Sequence, residues 1–196
     1  MESGESSANL VSIQREVELV RKRKLIRDGY LDIFKKKENP PVTRKALDNE
    51  EYLLLLDEKL EEEAKEWMIS KNPEELADVM EVIEAQCTAR TRKYTLTSLT
   101  RVQQSDLELI KAIRKVINNG NTDMDIFNGM FLSQIEKWSN THDFKDLARV
   151  LGITYAAGQI SRPFTEIPGL EDKRREKYRK LGGFAQRVVL EPLLPV

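Results

Sequence analysis

Two acidic pairs stand three residues apart on what read as consecutive helices: Glu63 with Glu66, and Glu75 with Asp78, with Glu62 beside the first. Residues at i and i+3 share a helix face. A short loop makes the two helices antiparallel neighbours and can bring the pairs together. Glu63 falls about 60° from the centre of its helix's apolar stripe, at the rim of the interface and not in open solvent. Clustered carboxylates repel one another and need a cation. Hard oxygen ligands without His or Cys select Mg²⁺ or Mn²⁺. Such an ion would neutralise a triphosphate, lower the pKa of a bound water and stabilise charge as a phosphoanhydride breaks. The plainer alternative is a solvated Glu-rich face paired with Lys59 and Lys65. A single Cys, Cys87, and a single His, His142, exclude an intrachain disulfide, a multi-Cys zinc site and the usual His-rich metal sites.

The carboxylates need helices to hold them. Asp48 or Asn49 can cap a helix running to about Ser70, with the apolar stripe Leu53, Leu56, Leu60, Ala64 and Trp67. Asn72-Pro73 opens the next, which carries Leu76, Val79, Met80, Ile83 and Cys87. Upstream, residues 1–9 form a disordered polar tail, helical spacing runs from Leu10 to about Lys37, and 42–48 is a connector. Downstream, the Thr-rich stretch 88–104 reads as a linker or a partly helical one. Helical spacing returns over 105–118, 123–139 and 143–160, with Gly152 a weak point in the last. A charged helix covers 170–180, Gly182-Gly183 caps it or approaches a phosphate, and Phe184–Leu190 is extended. The class is all-α, with at most one short strand, and residues 10–196 form one domain.

The chain matches itself at an offset of 71: Trp67 falls on Trp138, Leu76 on Leu147, Ala77 on Ala148, Val79 on Val150 and Met80 on Leu151. Two helical hairpins packing into a bundle would bury faces that neither buries alone. The acids do not repeat. Glu62, Glu63 and Glu66 fall on Ser133, Gln134 and Lys137, and Asp78 falls on Arg149; only Glu75 keeps an acid, Asp146. The second hairpin reads as a degenerate copy; the plainer alternative is chance agreement of two amphipathic hairpins. Trp67 and Trp138 continue apolar stripes and are expected in the core, as is Cys87.

Residues 24–87 and 173–190 resemble the all-α nucleoside-triphosphate pyrophosphohydrolase superfamily, which includes MazG-type enzymes and phosphoribosyl-ATP pyrophosphohydrolase. Its EExxE and ExxD signatures are matched by Glu62-Glu63-Ala64-Lys65-Glu66 and Glu75-Leu76-Ala77-Asp78. Lys24-Leu25-Ile26-Arg27-Asp28 is similar to the KLVRDK opening of a small subgroup. Lys177, Gly182-Gly183-Phe184 and Arg187-Val188-Val189-Leu190 are similar to its KxxxRGGF close and extended tail. The resemblance spans about 80 of the 196 residues and implies that 88–172, with the second hairpin, is an insertion. It further implies that Glu63, Glu66, Glu75 and Asp78 hold Mg²⁺, with Mn²⁺ as a substitute, and that Glu62 supports them or positions water. Arg27 and Lys177 would contact phosphates, and the products would be a nucleoside monophosphate and pyrophosphate. Gly29 and Leu181 stand where the pattern has Lys and Arg. Family members usually pair hairpins between subunits. This implies either a homodimer or a monomer whose second hairpin is a built-in partner, with Lys137 and Arg149 facing the phosphates across the bundle. The competing expectation is a nucleotide-binding or helical interaction protein that keeps the fold without turnover.

Composition narrows the classes. Thirty-two Lys and Arg against 33 Asp and Glu leave a net charge of −1, which offers no basic excess for a nucleic-acid partner. Nine Gly and 7 Pro favour helix over β folds. No apolar run approaches the ~18 residues of a membrane span, and no secretory leader is evident, so a cytoplasmic enzyme is expected.

Overall fold

A computed structural model describes residues 23–90, 94–117, 123–161 and 167–192. The tail at 1–9, the stretch from Leu10 to 22 and Phe164 lie outside them. Most of the described chain is helix, as the periodicity predicts.

Helix α2, Asn49–Ser70, follows α1, a single turn at Tyr30–Phe34. The Asp48 side chain accepts the Glu51 N–H at 2.8 Å, and Glu50 and Glu51 sit at the positive end of the α2 dipole. Lys71 ends α2 in the left-handed region, at φ 53°, and its N–H returns to the Trp67 carbonyl. Helix α3, Pro73–Arg90, begins on the proline, whose missing N–H costs nothing at a helix start.

The repeat is built into the backbone. Helices α6, Met124–Thr141, and α7, Phe144–Ser161, are joined by a loop that copies the one between α2 and α3. His142 ends α6 at φ 50°, with its N–H on the Trp138 carbonyl at 2.7 Å, the same distance as Lys71 to Trp67. Asn72 Oδ1 accepts the Glu74 N–H, and Asp143 Oδ1 accepts the Lys145 N–H. The Ser70 and Thr141 hydroxyls accept the N–H groups of Asn72 and Asp143. Helices α2 and α3 pack together, as do α6 and α7, and the hairpins meet through α2 against α6 and α3 against α7. The core of this four-helix bundle holds Leu56, Leu60, Trp67, Met80, Phe127, Phe131, Trp138 and Leu151, all fully buried. Phe127 and Phe131 meet the Trp67 ring edge-on at 5.9 and 6.1 Å, so the aromatic residues are core, as expected.

Three expectations are corrected. The stretch 88–104 is not a linker: α3 runs to Arg90, and Leu96–Gln104 forms helix α4, opened by a Thr95–Ser98 capping box. Its Thr-rich face hides two anchors, Leu96 and Leu99, which are buried against the bundle. Helix α5, Leu107–Ile117, follows at once. Both lie over α7, and a Cβ at Gly152 would sit 2.5 Å from Gln103 Cγ and 2.8 Å from Leu109 Cδ2. Gly152 therefore marks a close helix crossing and not a helix break. The helical spacing from Leu10 to Lys37 holds over its described part only in the single turn Tyr30–Phe34. Lys24–Ile26 is strand β1, and the 42–48 connector contains strand β2, Thr43–Lys45. Helix α8, Ile167–Leu181, leads to strand β3, Val188–Leu190. There are thus three short strands among the described residues. β3 lies between β1 and β2, antiparallel to both, with Val189 opposite Leu25 and Arg44. Leu25 and Val189 are buried, and β1 packs on α2. No helix among the described residues is long and apolar enough to cross a membrane.

Candidate functional site

Helices α2 and α3 bring Glu63, Glu66 and Glu75 together. Each offers a carboxylate oxygen, and the three oxygens lie within 4.8 Å of one another. Glu63 is only 5% exposed, and the other two are half-buried. Burial pushes the Glu63 carboxyl up to about 7; Lys59 opposes the shift, while Asp78 and Glu66 add to it. Burial likewise raises Glu75, against the pull of Lys177.

The other two candidate acids are engaged differently. Asp78 accepts from Arg27 through one oxygen and from Lys177 Nζ through the other, at 2.5 Å. Glu62 accepts from Lys24 Nζ at 2.5 Å, with Lys59 Nζ at 3.4 Å. Burial would raise Glu62, yet Lys59 and Lys24 hold it below the ordinary carboxylate range. Lys59 Nζ also lies 2.6 Å from Glu63 Oε1. Glu66 and Glu75 form no ion pair among the described residues. Five acids thus stand in a ring of four cations, Lys24, Arg27, Lys59 and Lys177, each at most 22% exposed. Three convergent carboxylates, two of them without an ion-pair partner, fit a hard divalent ion; Lys59 is the group such an ion would compete with.

The sequence motifs at the two ends of the chain interlock here. β1 pairs with β3, Arg27 donates to the Gly182 carbonyl at 2.9 Å, and the Asp28 N–H donates to the Gly183 carbonyl at 2.8 Å. Asp28 Oδ1 accepts the Gln186 N–H. The two departures from the subgroup pattern touch each other. The Gly29 N–H donates to the Leu181 carbonyl at 2.7 Å, and a Cβ at Gly29 would fall 2.7–2.9 Å from the Leu181 backbone. A lysine at position 29 would require the backbone to move.

Lys137 and Arg149 are not brought to this cluster. Lys137 Nζ holds Asp146 Oδ1 at 2.7 Å, and Arg149 Nε holds Asp106 Oδ2 at 2.7 Å. Each cation is paired with an acid outside the cluster, and neither pairs with Glu62, Glu63, Glu66, Glu75 or Asp78 among the described residues. Their arrangement is informative all the same. Gln134, Lys137 and Asp146 are the offset-71 counterparts of Glu63, Glu66 and Glu75, and Gln134 Nε2 also approaches Asp146 Oδ1, at 3.3 Å. Where the first hairpin gathers three acids, the second supplies its own ammonium.

Sequence reasoning missed the roles of Lys24 and Glu81, while the Lys59 pairing it offered as the plainer alternative is present, on Glu62 and Glu63. Glu81 continues the Glu75–Asp78 spacing by one more turn, is buried, and accepts from Arg174 at 2.8 Å. That second step of three residues was the available signal. His142 ends α6, and its Nε2 lies 3.1 Å from Asp57 Oδ2, tying the two hairpins together. Tyr94 stacks on Phe144 at 4.2 Å and belongs to the packing. Gly182, at φ 68°, caps α8 by donating to the Tyr178 carbonyl.

Comparison with known protein families, with curated proteins and with solved structures returned no match.

Proposed function

We propose that the protein is a Mg²⁺-dependent nucleoside triphosphate pyrophosphohydrolase of the all-α superfamily, cleaving the α–β phosphoanhydride to a nucleoside monophosphate and pyrophosphate. Its setting would be the cytoplasmic nucleotide pool, cleared of non-standard or excess nucleotides. The observation that carries this reading is the convergence of Glu63, Glu66 and Glu75 from two antiparallel helices inside a ring of cations. These three, with Asp78 one turn further along α3, would hold Mg²⁺ or Mn²⁺. The ion supplies charge neutralisation and an activated water when bound. Glu62 orients that water. Arg27 and Lys177, each already poised at an acid, turn to phosphate oxygens when the acids are taken up. The second hairpin serves as the built-in bundle partner of a monomer; a homodimer is the alternative arrangement.

A panel of nucleoside triphosphates incubated with Mg²⁺, Mn²⁺ or EDTA tests the reading. Pyrophosphate release should require the metal and fall at least 100-fold in Glu75→Gln, an isosteric change at a half-buried residue with no ion-pair partner among the described residues. Release that survives EDTA or this substitution would end the proposal. The pairing of Asp78, Glu62 and Glu63 with four cations favours a second reading, in which the network is structural and the protein binds nucleotides without turnover. Metal-independent nucleotide binding with no pyrophosphate released would select it.

A further inference from the structure

A cavity of about 550 Å³ opens between α3, α8 and the turn at Gly183–Ala185. That volume is in the range small organic ligands fill. Its α3 wall starts at Glu81, one turn past Asp78, and continues with Glu84. Each carboxylate has one oxygen committed. Arg174 donates to Glu81 Oε2 at 2.8 Å, and the Leu96 N–H donates to Glu84 Oε2 at 3.0 Å. Glu81 Oε1 lies 2.9 Å from where a Cβ on Gly183 would stand, and the same Cβ would meet the Tyr178 ring at 3.1 Å. Gly183 therefore keeps open a gap between a carboxylate oxygen and an aromatic ring. Tyr178 is 52% exposed, and its ring stacks on no other among the described residues. Arg179, also on the cavity wall, forms no ion pair among the described residues. Phe184 lines the cavity too, and the Arg27 guanidinium lies 5.4 Å from its ring centroid. Arg27 is bonded to Asp78, so the cavity and the acidic cluster share a wall.

We propose that this cavity is the base subsite of the nucleotide, and that it selects bases carrying an amino group. The base stacks on Tyr178, and its amino N–H donates to the free oxygens of Glu81 and Glu84. A base with a carbonyl in place of the amino group would set its lone pairs against a carboxylate and leave that acceptor unpaired. The route of the phosphates to the acidic cluster rests on the pyrophosphohydrolase reading. The base preference does not, because a nucleoside without phosphate or metal is enough to reveal it.

The test is a titration of ¹⁵N-labelled protein in EDTA with nucleoside pairs matched except at one exocyclic amino group: cytidine and uridine, adenosine and inosine, guanosine and inosine. In at least one pair the amino-bearing member should bind at least tenfold more tightly, with shifts on α3, α8 and Gly183. Tyr178→Ala, an exposed site that leaves the fold intact, and Gly183→Ala, which fills the gap, should each weaken that binding tenfold. Neither should change the binding of magnesium pyrophosphate. No nucleoside binding, an absent or reversed preference in all three pairs, or insensitivity to Tyr178→Ala would overturn the assignment. Selective nucleoside binding in a protein that releases no pyrophosphate would support the subsite and strike the hydrolase reading alone.

Discussion

Raising the pH of the metal-free protein should weaken it, and a divalent ion should restore it. The group responsible is Glu63, whose carboxyl is pushed from its ordinary 4.5 to about 7 by burial among other acids. Between those values the folded chain keeps a proton that the unfolded chain has released. The folded state then binds more protons, so stability falls as pH rises. The contribution is fully present below 4.5 and lost above 7. At about 1.4 kcal/mol per pH unit, the span amounts to roughly 3 kcal/mol. For a chain of this size that is a drop of about 6–12 °C in Tm. Glu75 shifts in the same direction and Glu62 in the opposite one, so the difference between wild type and Glu63→Gln isolates the effect. Thermal melts by circular dichroism in EDTA, from pH 5 to 8, should show the wild type declining while Glu63→Gln stays nearly level. Adding Mg²⁺ at pH 8 to about 100 times its Kd should return roughly 2.7 kcal/mol to the wild type and little to the variant. A wild-type melting temperature that is flat or rising over this window, or a Glu63→Gln protein that declines in parallel, would refute the reasoning.

Further outcomes follow from single contacts. Asp78→Asn leaves Arg27 and Lys177 without their shared carboxylate; it should cost about 3–5 kcal/mol in urea melts and abolish metal-dependent pyrophosphate release. Trp138→Phe should cost less than Leu60→Ala, for which about 2–5 kcal/mol is expected, because the buried Trp138 Nε1 has no hydrogen-bond partner among the described residues to lose. Cys87 is fully buried, and burial pushes its thiol up to about 12, so a thiol reagent at pH 8 should label it only at the rate of unfolding.

Some of this was legible along the chain because the information is local. The capping residue Asp48, the Pro73 start and the stripe through Leu56, Leu60 and Trp67 mark α2 and α3, and each is fixed within a turn or two. The offset of 71 exposed a second hairpin whose loop proves to repeat its hydrogen bonds one by one. The strands were hidden for the opposite reason. Lys24–Ile26 and Thr43–Lys45 exist because Val188–Leu190, far along the chain, offers backbone partners to both, and three residues are too few for a period to declare itself. Helix α4 was hidden by its Thr-rich composition, since only Leu96 and Leu99 are buried.

The sequence by itself determined that acids would gather on one face of two neighbouring helices, because i, i+3 spacing and a short loop admit little else. Which acids converge was decided by the tertiary fold. Glu63, Glu66 and Glu75 share a small volume, while Asp78, equally eligible by spacing, is held by Arg27, just past the first strand, and by Lys177 from the last helix. Those cations lie 51 and 99 positions from Asp78. Helical spacing sets which side chains face the same way, but only the packing of distant segments sets which charge stands opposite.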